Sequence, residues 1–258
     1  MLSFPGLSRK ALAIALFLVS VQPDCSVAAQ EVLKVGVERD YPPFSIIDAQ
    51  GNLSGFDPEI ADALCRDMQR DCIIQPMEFQ QLLDSMKERR LDIAVAGLAA
   101  EPDRQQYMEF SNNYYQSRSI YVFRPEAELT ETWMRGKTIG MQENTAQQTL
   151  AERLWKGIAA FRTFSDHPTM LEALKTGKVD VLLVDGLAAY SFLLSKEGEA
   201  YEMSEISVDA DSPTNNACIG VRKGDLQLLS AINDSLANIK LSGEYSRIAR
   251  KYFPFSIY

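Results

Sequence analysis

The chain has 258 residues and a formal net charge of −9, which makes it a poor candidate for binding nucleic acid or an anionic membrane, because both are recognised by basic surfaces. Its length is sufficient to bury a substantial core, either as one large domain or as two lobes of ordinary size. Setting aside the first 29 residues, which contain Arg9, Lys10 and Asp24, changes the net charge from −9 to −10.

The N-terminal segment has the features of a secretory signal peptide. Arg9-Lys10 precedes an apolar run over residues 11–21, and Val27-Ala28-Ala29 supplies the small residues that a signal peptidase requires. We therefore predict that residues 1–29 are a cleaved signal peptide and that the mature protein begins at Gln30 in the periplasm. A transmembrane anchor is disfavoured because this apolar core is shorter than the roughly 20 residues that a spanning helix needs.

A first strand is predicted over residues 33–37, and the loop that follows it, residues 38–44, contains two consecutive prolines. A rigid loop at the end of a strand is a common location for ligand-binding groups. Phe44 is interpreted as a core residue. Tyr41, between charged residues and prolines, is predicted to face a cleft.

The cysteines Cys65 and Cys72 are seven residues apart. In one continuous helix their Cα atoms would be separated by about 10.5 Å, beyond the limit of roughly 7 Å for a disulfide. A bond between them therefore requires the helix to end soon after Met68. In the oxidising periplasm a disulfide is favoured over a metal site, for which further Cys or His residues would be expected nearby. Cys218 is interpreted as a free, buried thiol.

The stretch from Leu91 to Arg104 is predicted to be a buried strand that breaks into a loop ending on a cation. Residues 93–98 are apolar without alternation, which is typical of a parallel strand covered on both faces. Gly97 permits close approach to the backbone, and Pro102 prevents the strand from continuing. Arg104 is thereby placed just beyond the carboxyl end of a strand, where α/β proteins bind ligands. A guanidinium there suggests a carboxylate ligand.

Residues 82–97 are repeated later in the chain. They align without a gap on residues 170–185, with leucine, lysine and aspartate at equivalent positions. Two similar helix-to-strand units imply two similar lobes. The equivalent of Gly97 is Asp185, so one lobe offers a cation and the other an anion, and a zwitterion would satisfy both.

Two further extended segments, residues 119–123 and 217–221, are predicted to carry the chain between the lobes and to form the hinge. Lobe 1 is then discontinuous, with residues 30–118 and 220–258, and lobe 2 comprises residues 119–219. The alternation of strands and helices predicts an α/β fold.

A polar turn over residues 142–147 opens a helix whose amides are suited to receive a carboxylate. An ordinary N-cap by Asn144 or Thr145 is a compatible interpretation. His167 is the single histidine and is predicted to lie on the surface. No acidic pair, nucleophile with a base, or set of metal ligands surrounds it in the sequence, so neither a catalytic nor a metal site is predicted there.

Eight short motifs are distributed along the mature chain, and they are specific together although none is specific alone. They are Asp40-Tyr41-Pro42-Pro43-Phe44, Gly55-Phe56-Asp57, the Cys65 and Cys72 pair, Asp103-Arg104, Gly136-Lys137, Gly177-Lys178-Val179-Asp180, Val221-Arg222-Lys223-Gly224 and Lys251-Tyr252-Phe253. By these motifs nearly the whole mature chain resembles a type II periplasmic solute-binding protein of the polar amino acid ABC uptake family. Within that family it is most similar to the lysine/arginine/ornithine- and histidine-binding proteins. The resemblance implies two lobes, each with a mostly parallel sheet flanked by helices, joined by a two-strand hinge.

The resemblance also implies a ligand set. Arg104 and the amides around Thr145 would hold the ligand carboxylate, while Asp185 and the Gly97 carbonyl would hold its ammonium group. The chain departs from the family pattern at Ala99, where a Ser or Thr hydroxyl is usual. This departure removes one hydrogen bond to the ligand backbone.

By the same resemblance, Tyr41 and Phe79 correspond to the aromatic pair that encloses the ligand side chain. Glu38 falls where the members that bind basic amino acids place an acid. The alternative for Glu38 is a side chain that points to solvent or pairs with Arg39 or Lys34.

The function implied is that of a non-enzymatic binding protein. It would capture an amino acid, with a cationic one favoured, and deliver it as a periplasmic monomer to the membrane permease of an ABC importer, with no cofactor. One alternative is a ligand-sensing binding protein for a separate receptor. Another is a cyclohexadienyl or prephenate dehydratase on the same fold, which would need a positioned acid that residues 186–189 do not supply.

Overall fold

Two five-stranded sheets organise the chain in the computed structural model, which describes residues 1–2, 31–205 and 213–258. The predicted signal peptide therefore lies outside the described residues apart from its first two. The strands are β1 (Leu33–Glu38), β2 (Ile46–Ile47), β3 (Leu53–Ser54), β4 (Cys72–Met77), β5 (Ile93–Leu98), β6 (Met108–Gln116), β7 (Ser119–Phe123), β8 (Thr138–Gln142), β9 (Ala160–Phe164), β10 (Val181–Asp185), β11 (Glu202–Glu205) and β12 (Asn216–Arg222). The helices are α1 (Phe56–Asp67), α2 (Phe79–Lys87), α3 (Glu131–Met134), α4 (Ala146–Trp155), α5 (His167–Lys175), α6 (Gly186–Leu193), α7 (Leu226–Leu241) and α8 (Glu244–Tyr252). None of the helices in these ranges is long and apolar enough to cross a bilayer.

The first lobe is built on the sheet β4-β1-β5-β12-β6. Strands β4, β1 and β5 are parallel, and β12 runs antiparallel to both of its neighbours, β5 and β6. Alternate residues of β5 pack on opposite faces: Ile93 and Val95 contact the core beneath α1, α7 and α8, while Ala94 and Ala96 contact the core beneath α2. The apolar run without polar alternation in β5 is explained by these two covered faces.

The second lobe repeats this arrangement around the sheet β11-β7-β10-β8-β9. Strands β10, β8 and β9 are parallel, and β7 and β11 are antiparallel to their neighbours. Leu182 and Val184 of β10 pack against α5, whereas Val181 and Leu183 pack in the core that contains Ala151 of α4. The predicted α/β fold with two helix-flanked sheets is confirmed.

The repeated helix-to-strand unit is formed by α2 and β5 in the first lobe and by α5 and β10 in the second. In each copy the aspartate before the strand accepts a hydrogen bond from the backbone of the neighbouring parallel strand. Asp92 Oδ2 accepts from the Lys34 amide and Asp180 Oδ2 from the Thr138 amide, both at 2.8 Å. The same residue thus performs the same structural role in both lobes.

The segments predicted as crossing strands each lie within one sheet. Strand β7 pairs with β10 and β11, and β12 pairs along its length with β6 and β5. A boundary at residues 219 and 220 therefore cuts through β12, which belongs to the first sheet. The sequence pattern predicts that these segments are extended. It does not predict their strand partners, because those partners are distant in the chain. The chain passes from the first sheet to the second between Gln116 and Ser119.

The disulfide between Cys65 and Cys72 is present, with the Cα atoms 6.3 Å apart. Helix α1 ends at Asp67, and Gln69 adopts a positive φ of 54°. The chain therefore reverses and brings Cys72, the first residue of β4, back to the helix. Cys218 is a buried free thiol, as predicted.

Candidate ligand-binding site

One cavity lies where the two lobes meet, and all eight predicted ligand-binding residues line it. The first lobe contributes Glu38, Tyr41, Phe79, Gly97, Ala99 and Arg104, and the second contributes Thr145 and Asp185. These positions follow from the sheet topology, because the ligand groups of α/β proteins collect at the carboxyl ends of parallel strands. Further residues that line the cavity are Ala96, Tyr115, Ser117, Gln142, Ala146, Gln147, Thr214, Asn215 and Ala217. Of these, Gln142, Ala146 and Gln147 belong to the polar turn whose amides were predicted to receive a carboxylate.

Arg104 is the cationic group of this cavity, and its side chain is only 3% exposed. Its Nη1 donates to the Ala99 carbonyl at 3.1 Å, and its Nη2 donates to the Asn144 carbonyl of the second lobe at 2.6 Å. Nη2 also lies 2.8 Å from Oε2 of Glu101, and the guanidinium carbon is 5.7 Å from the centre of the Phe79 ring. The ion pair between Glu101 and Arg104 was not predicted, although a carboxylate three residues before an arginine in the same loop is a pattern from which it could have been predicted.

Asp185 is the anionic group contributed by the second lobe. It is the last residue of β10 and the N-cap of α6, and its Oδ1 accepts hydrogen bonds from the amides of Leu187 at 2.9 Å and Ala188 at 3.2 Å. Burial raises the pKa of this carboxyl, and hydrogen bonds with the Ser117 hydroxyl and these amides act against the shift. The dipoles of these hydrogen-bond donors thus stabilise its negative charge.

Glu38, the last residue of β1, points into the cavity rather than to solvent. Its carboxyl accepts a hydrogen bond of 2.6 Å from Nε2 of Gln142, the last residue of β8. Arg39 pairs instead with Asp40 and Glu78. Burial raises the pKa of Glu38 to about 8, although the hydrogen bond with Gln142 opposes the shift. Gln142 was predicted only as part of a polar turn, although the rule that placed Arg104 beyond a strand end also predicts a role for the Gln142 side chain.

The aromatic wall of the cavity joins the two lobes. Tyr41 stacks on Phe44 with ring centroids 5.4 Å apart and makes a T-shaped contact with His167 at 5.0 Å.

The prediction that His167 lies on the surface is wrong: its side chain is 3% exposed. The sequence could not show this, because the covering residue Tyr41 comes from the other lobe. Burial lowers the pKa of His167 to about 4, against the opposing charge of Asp166.

Gly97 is required by the backbone at the centre of the site. Its φ of +58° lies in the left-handed region, and a Cβ at this position would collide with the hydroxyl of Tyr115. Its amide donates to the Tyr114 hydroxyl at 2.8 Å, and that hydroxyl donates to Oδ1 of the buried Asp57 at the same distance. These hydrogen bonds fix the position of the end of β5 within the first lobe.

Thr145 is the N-cap of α4, and its hydroxyl oxygen accepts from the Gln148 amide at 3.3 Å. The first amides of a helix have no intrahelical acceptor. Those of Ala146 and Gln147 belong to residues that line the cavity, so they are suited to a carboxylate. Among the residues that the structure describes, no group of three or more His, Cys, Asp and Glu side chains is arranged to hold a metal ion.

Curated relatives match almost the whole chain. The lysine/arginine/ornithine-binding periplasmic protein of Escherichia coli is 28% identical over 259 residues, covering 98% of this chain and 99% of the relative. The histidine-binding periplasmic protein of Salmonella typhimurium is 27% identical, with the same coverage. Among solved structures, a Salmonella typhimurium periplasmic binding protein of high arginine specificity is 26% identical and superposes with a TM-score of 0.76, covering 86% of this chain and 99% of that one.

The family model for bacterial extracellular solute-binding proteins, family 3, matches residues 33–255. The matched range includes both sheets and every residue predicted to bind the ligand. The chain therefore belongs to the bacterial extracellular solute-binding proteins of family 3.

Proposed function

We propose that this protein binds one amino acid between its lobes and delivers it to the membrane permease of an ABC importer. The observation that carries the proposal is the placement of Arg104, from the first lobe, and Asp185, from the second, on the wall of one cavity. A guanidinium suits an α-carboxylate and a carboxylate suits an α-ammonium group. Curated relatives over the full length are named for the binding of amino acids.

A cationic side chain suits the remaining groups of the cavity. Glu38 is a buried carboxyl and Asp185 a half-buried one on its wall, whereas Arg104, the one cation among the described lining residues, already has Glu101 beside it. A ligand with a second positive charge would take the place of the Gln142 amide as the partner of Glu38. The faces of Tyr41 and Phe79 would add a cation–π attraction of about 0.5 to 2 kcal/mol.

Movement of the lobes is part of the proposal. The cavity has a volume of about 50 Å³, which is small beside the cavity of about 150 Å³ that binds benzene in an engineered protein. Gln142 and Asn144 of the second lobe also bond directly to Glu38 and Arg104 of the first. Entry of an amino acid therefore requires the lobes to separate, with residues 117–118 between β6 and β7 as part of the hinge.

A thermal-shift panel of amino acids, followed by titration of Glu38→Gln, tests this function. A ligand at 100 times its dissociation constant adds about 2.7 kcal/mol of stability. The cationic amino acids should give the largest shifts, and Glu38→Gln should weaken their binding by about 1.5 to 3 kcal/mol while changing glutamine binding much less. Glu78→Gln makes the same chemical change outside the cavity and should preserve affinity. Preference of the wild type for an acidic or neutral amino acid would exclude the cationic ligand.

A second candidate function is favoured by one observation, the pKa of about 8 for Glu38, because a buried carboxyl that stays protonated can act as a general acid. This is the property that a dehydratase of this fold would need. Incubation of the protein with prephenate and analysis of the products decides the matter. Product formation that Glu38→Gln abolishes would establish an enzyme, and recovery of unchanged substrate would exclude it.

A further inference from the structure

Arg104 lies in the wall between two cavities. One is the site described above, and the other is a larger cleft of about 690 Å³ on the far side of the guanidinium, which Glu101 and Thr149 also line. Glu101 approaches Arg104 from this outer cavity. Its side chain is 13% exposed, its Oε2 lies 2.8 Å from Nη2 of Arg104 as an ion pair, and its Oε1 accepts a hydrogen bond from the Thr149 hydroxyl at 3.4 Å.

The donor geometry of Arg104 makes this contact consequential. A guanidinium has five N–H groups, and it can grip a carboxylate with two parallel hydrogen bonds either through Nη1 and Nη2 or through Nε and Nη2. Both arrangements use Nη2. In this structure Nη2 donates a hydrogen bond to the Asn144 carbonyl, and the Glu101 carboxylate lies 2.8 Å from the same nitrogen as an ion pair. A ligand carboxylate that approaches Nη2 therefore meets the negative charge of Glu101.

We infer that Glu101 is an internal competitor for the ligand carboxylate and thereby sets the affinity of the site. This inference rests on the proposed function, since it assumes an amino acid whose carboxylate is bound by Arg104. Glu101 contributes a side chain, which can change rotamer, whereas the Asn144 carbonyl belongs to the backbone ahead of α4. Glu101 is therefore the group that yields, and the outer cavity gives it space in which to rotate away.

Binding of the ligand carboxylate is also weakened at Ala99. Its side chain is a methyl group, and its carbonyl accepts a hydrogen bond from Arg104. The carboxylate of a ligand must thus displace an anion and receives no hydroxyl donor from this position. At the acidic end, the described partners of Glu38 and Asp185 are amides and a hydroxyl rather than a charged group. Discrimination between ligands should therefore depend more on their positive groups than on their carboxylate.

Titration calorimetry with L-arginine and L-argininamide, which lacks the carboxylate, tests the inference on Glu101→Gln and Glu101→Ala. The control is Asp103→Asn, which removes one negative charge from an exposed residue of the same loop. Both Glu101 variants should bind arginine about tenfold more tightly than the wild type and bind argininamide within about threefold. Asp103→Asn should leave both affinities within about threefold.

The opposite result identifies a different role for Glu101. If it only orients Arg104, both Glu101 variants bind arginine no more tightly than the wild type, and this outcome overturns the inference while leaving the proposed function intact. Equal tightening for arginine and argininamide also overturns it, because the competition concerns the carboxylate. Failure of the wild type and all variants to bind arginine would instead reject the cationic ligand.

Discussion

The two lobes use one helix-to-strand unit to present opposite charges. In the first lobe, Gly97 near the end of β5 and Pro102 in the loop after it redirect the chain. The side chain of Arg104 thereby points back to the end of the strand. In the second lobe, β10 ends at Asp185, which caps α6 immediately. The scaffold residues, such as Asp92 and Asp180, keep the same role in both lobes. Ligand chemistry can therefore change at the strand ends without altering the unit that supports them.

The lobes also differ in how each charged group is compensated. Arg104 carries its own counter-ion, Glu101, and bonds to two carbonyls. Among the described residues, Asp185 accepts hydrogen bonds from amides and a hydroxyl. The proposed preference for cationic ligands rests on this difference between the two lobes.

The largest expected effect comes from removing either end of the ligand clamp. Arg104→Ala and Asp185→Asn should each weaken arginine binding by about 2 to 5 kcal/mol, because each leaves a buried ligand charge without its partner. Asparagine is a good N-cap, so the second variant keeps α6 intact. Titration calorimetry measures both losses.

Agmatine, which has no carboxylate, separates the contributions of the two lobes. It should bind to Arg104→Ala nearly as well as to the wild type and should bind poorly to Asp185→Asn. If both variants bind arginine within about threefold of the wild type, a difference below 1 kcal/mol, the clamp is wrong.

The disulfide distinguishes the stability of the two lobes, because the second lobe contains no cysteine. Replacing Cys65 and Cys72 together by serine should lower the free energy of unfolding by about 2.5 kcal/mol on the chain-entropy model for so short a loop. Hydrogen exchange should accelerate in α1 and β4 while the strands of the second sheet keep their protection. Equal acceleration in both lobes would show that they unfold as one unit.

The two equivalent aspartates should contribute unequally. Asp92 is 14% exposed and also accepts from Arg222 at 2.7 Å, whereas Asp180 is 38% exposed and lies 3.3 Å from Lys137. We expect Asp92→Ala to cost about 2 kcal/mol and Asp180→Ala about 1 kcal/mol, since hydrogen bonds to charged groups are worth more when they are buried. Urea unfolding with unchanged m-values checks the order, and a reversed order would contradict it.

The sequence predicted those features that depend on local pattern. The two buried strands, the ends at which Arg104 and Asp185 stand, and the break in α1 before Cys72 all follow from apolar runs, turn residues and spacing. The residues it missed make contacts across the cleft or within a folded loop. The bond from Gln142 to Glu38 and the contact of His167 with Tyr41 depend on how one lobe meets the other, which no periodicity encodes. The predicted lobe boundary at residues 219 and 220 falls within β12 for a related reason, because the strands that pair with β12 are distant in the chain.

The smallest expected effect is a pH dependence that arises at the meeting of the lobes. His167 is neutral when it is buried against Tyr41, because burial lowers its pKa to about 4 from an ordinary value of 6.5. If separation of the lobes restores the ordinary pKa, the open form binds more protons between these values, and acid favours opening. The affinity for arginine should therefore be highest above the ordinary pKa of 6.5 and should decrease as the pH falls towards about 4. By this linkage, the loss between pH 7 and pH 5.5 should be about eightfold, or roughly 1 kcal/mol.

His167→Phe keeps an aromatic edge against Tyr41 but does not titrate, so it isolates this effect. Glu38 also makes binding depend on pH, because a cationic ligand prefers its ionised form and its pKa is about 8 without ligand. That contribution is shared by the wild type and His167→Phe. The ratio of their dissociation constants, measured by calorimetry from pH 7.5 to pH 5, therefore reports on the histidine alone. A ratio that grows as the pH falls supports proton-linked opening of the cleft, whereas a constant ratio would show that His167 stays buried when the lobes separate.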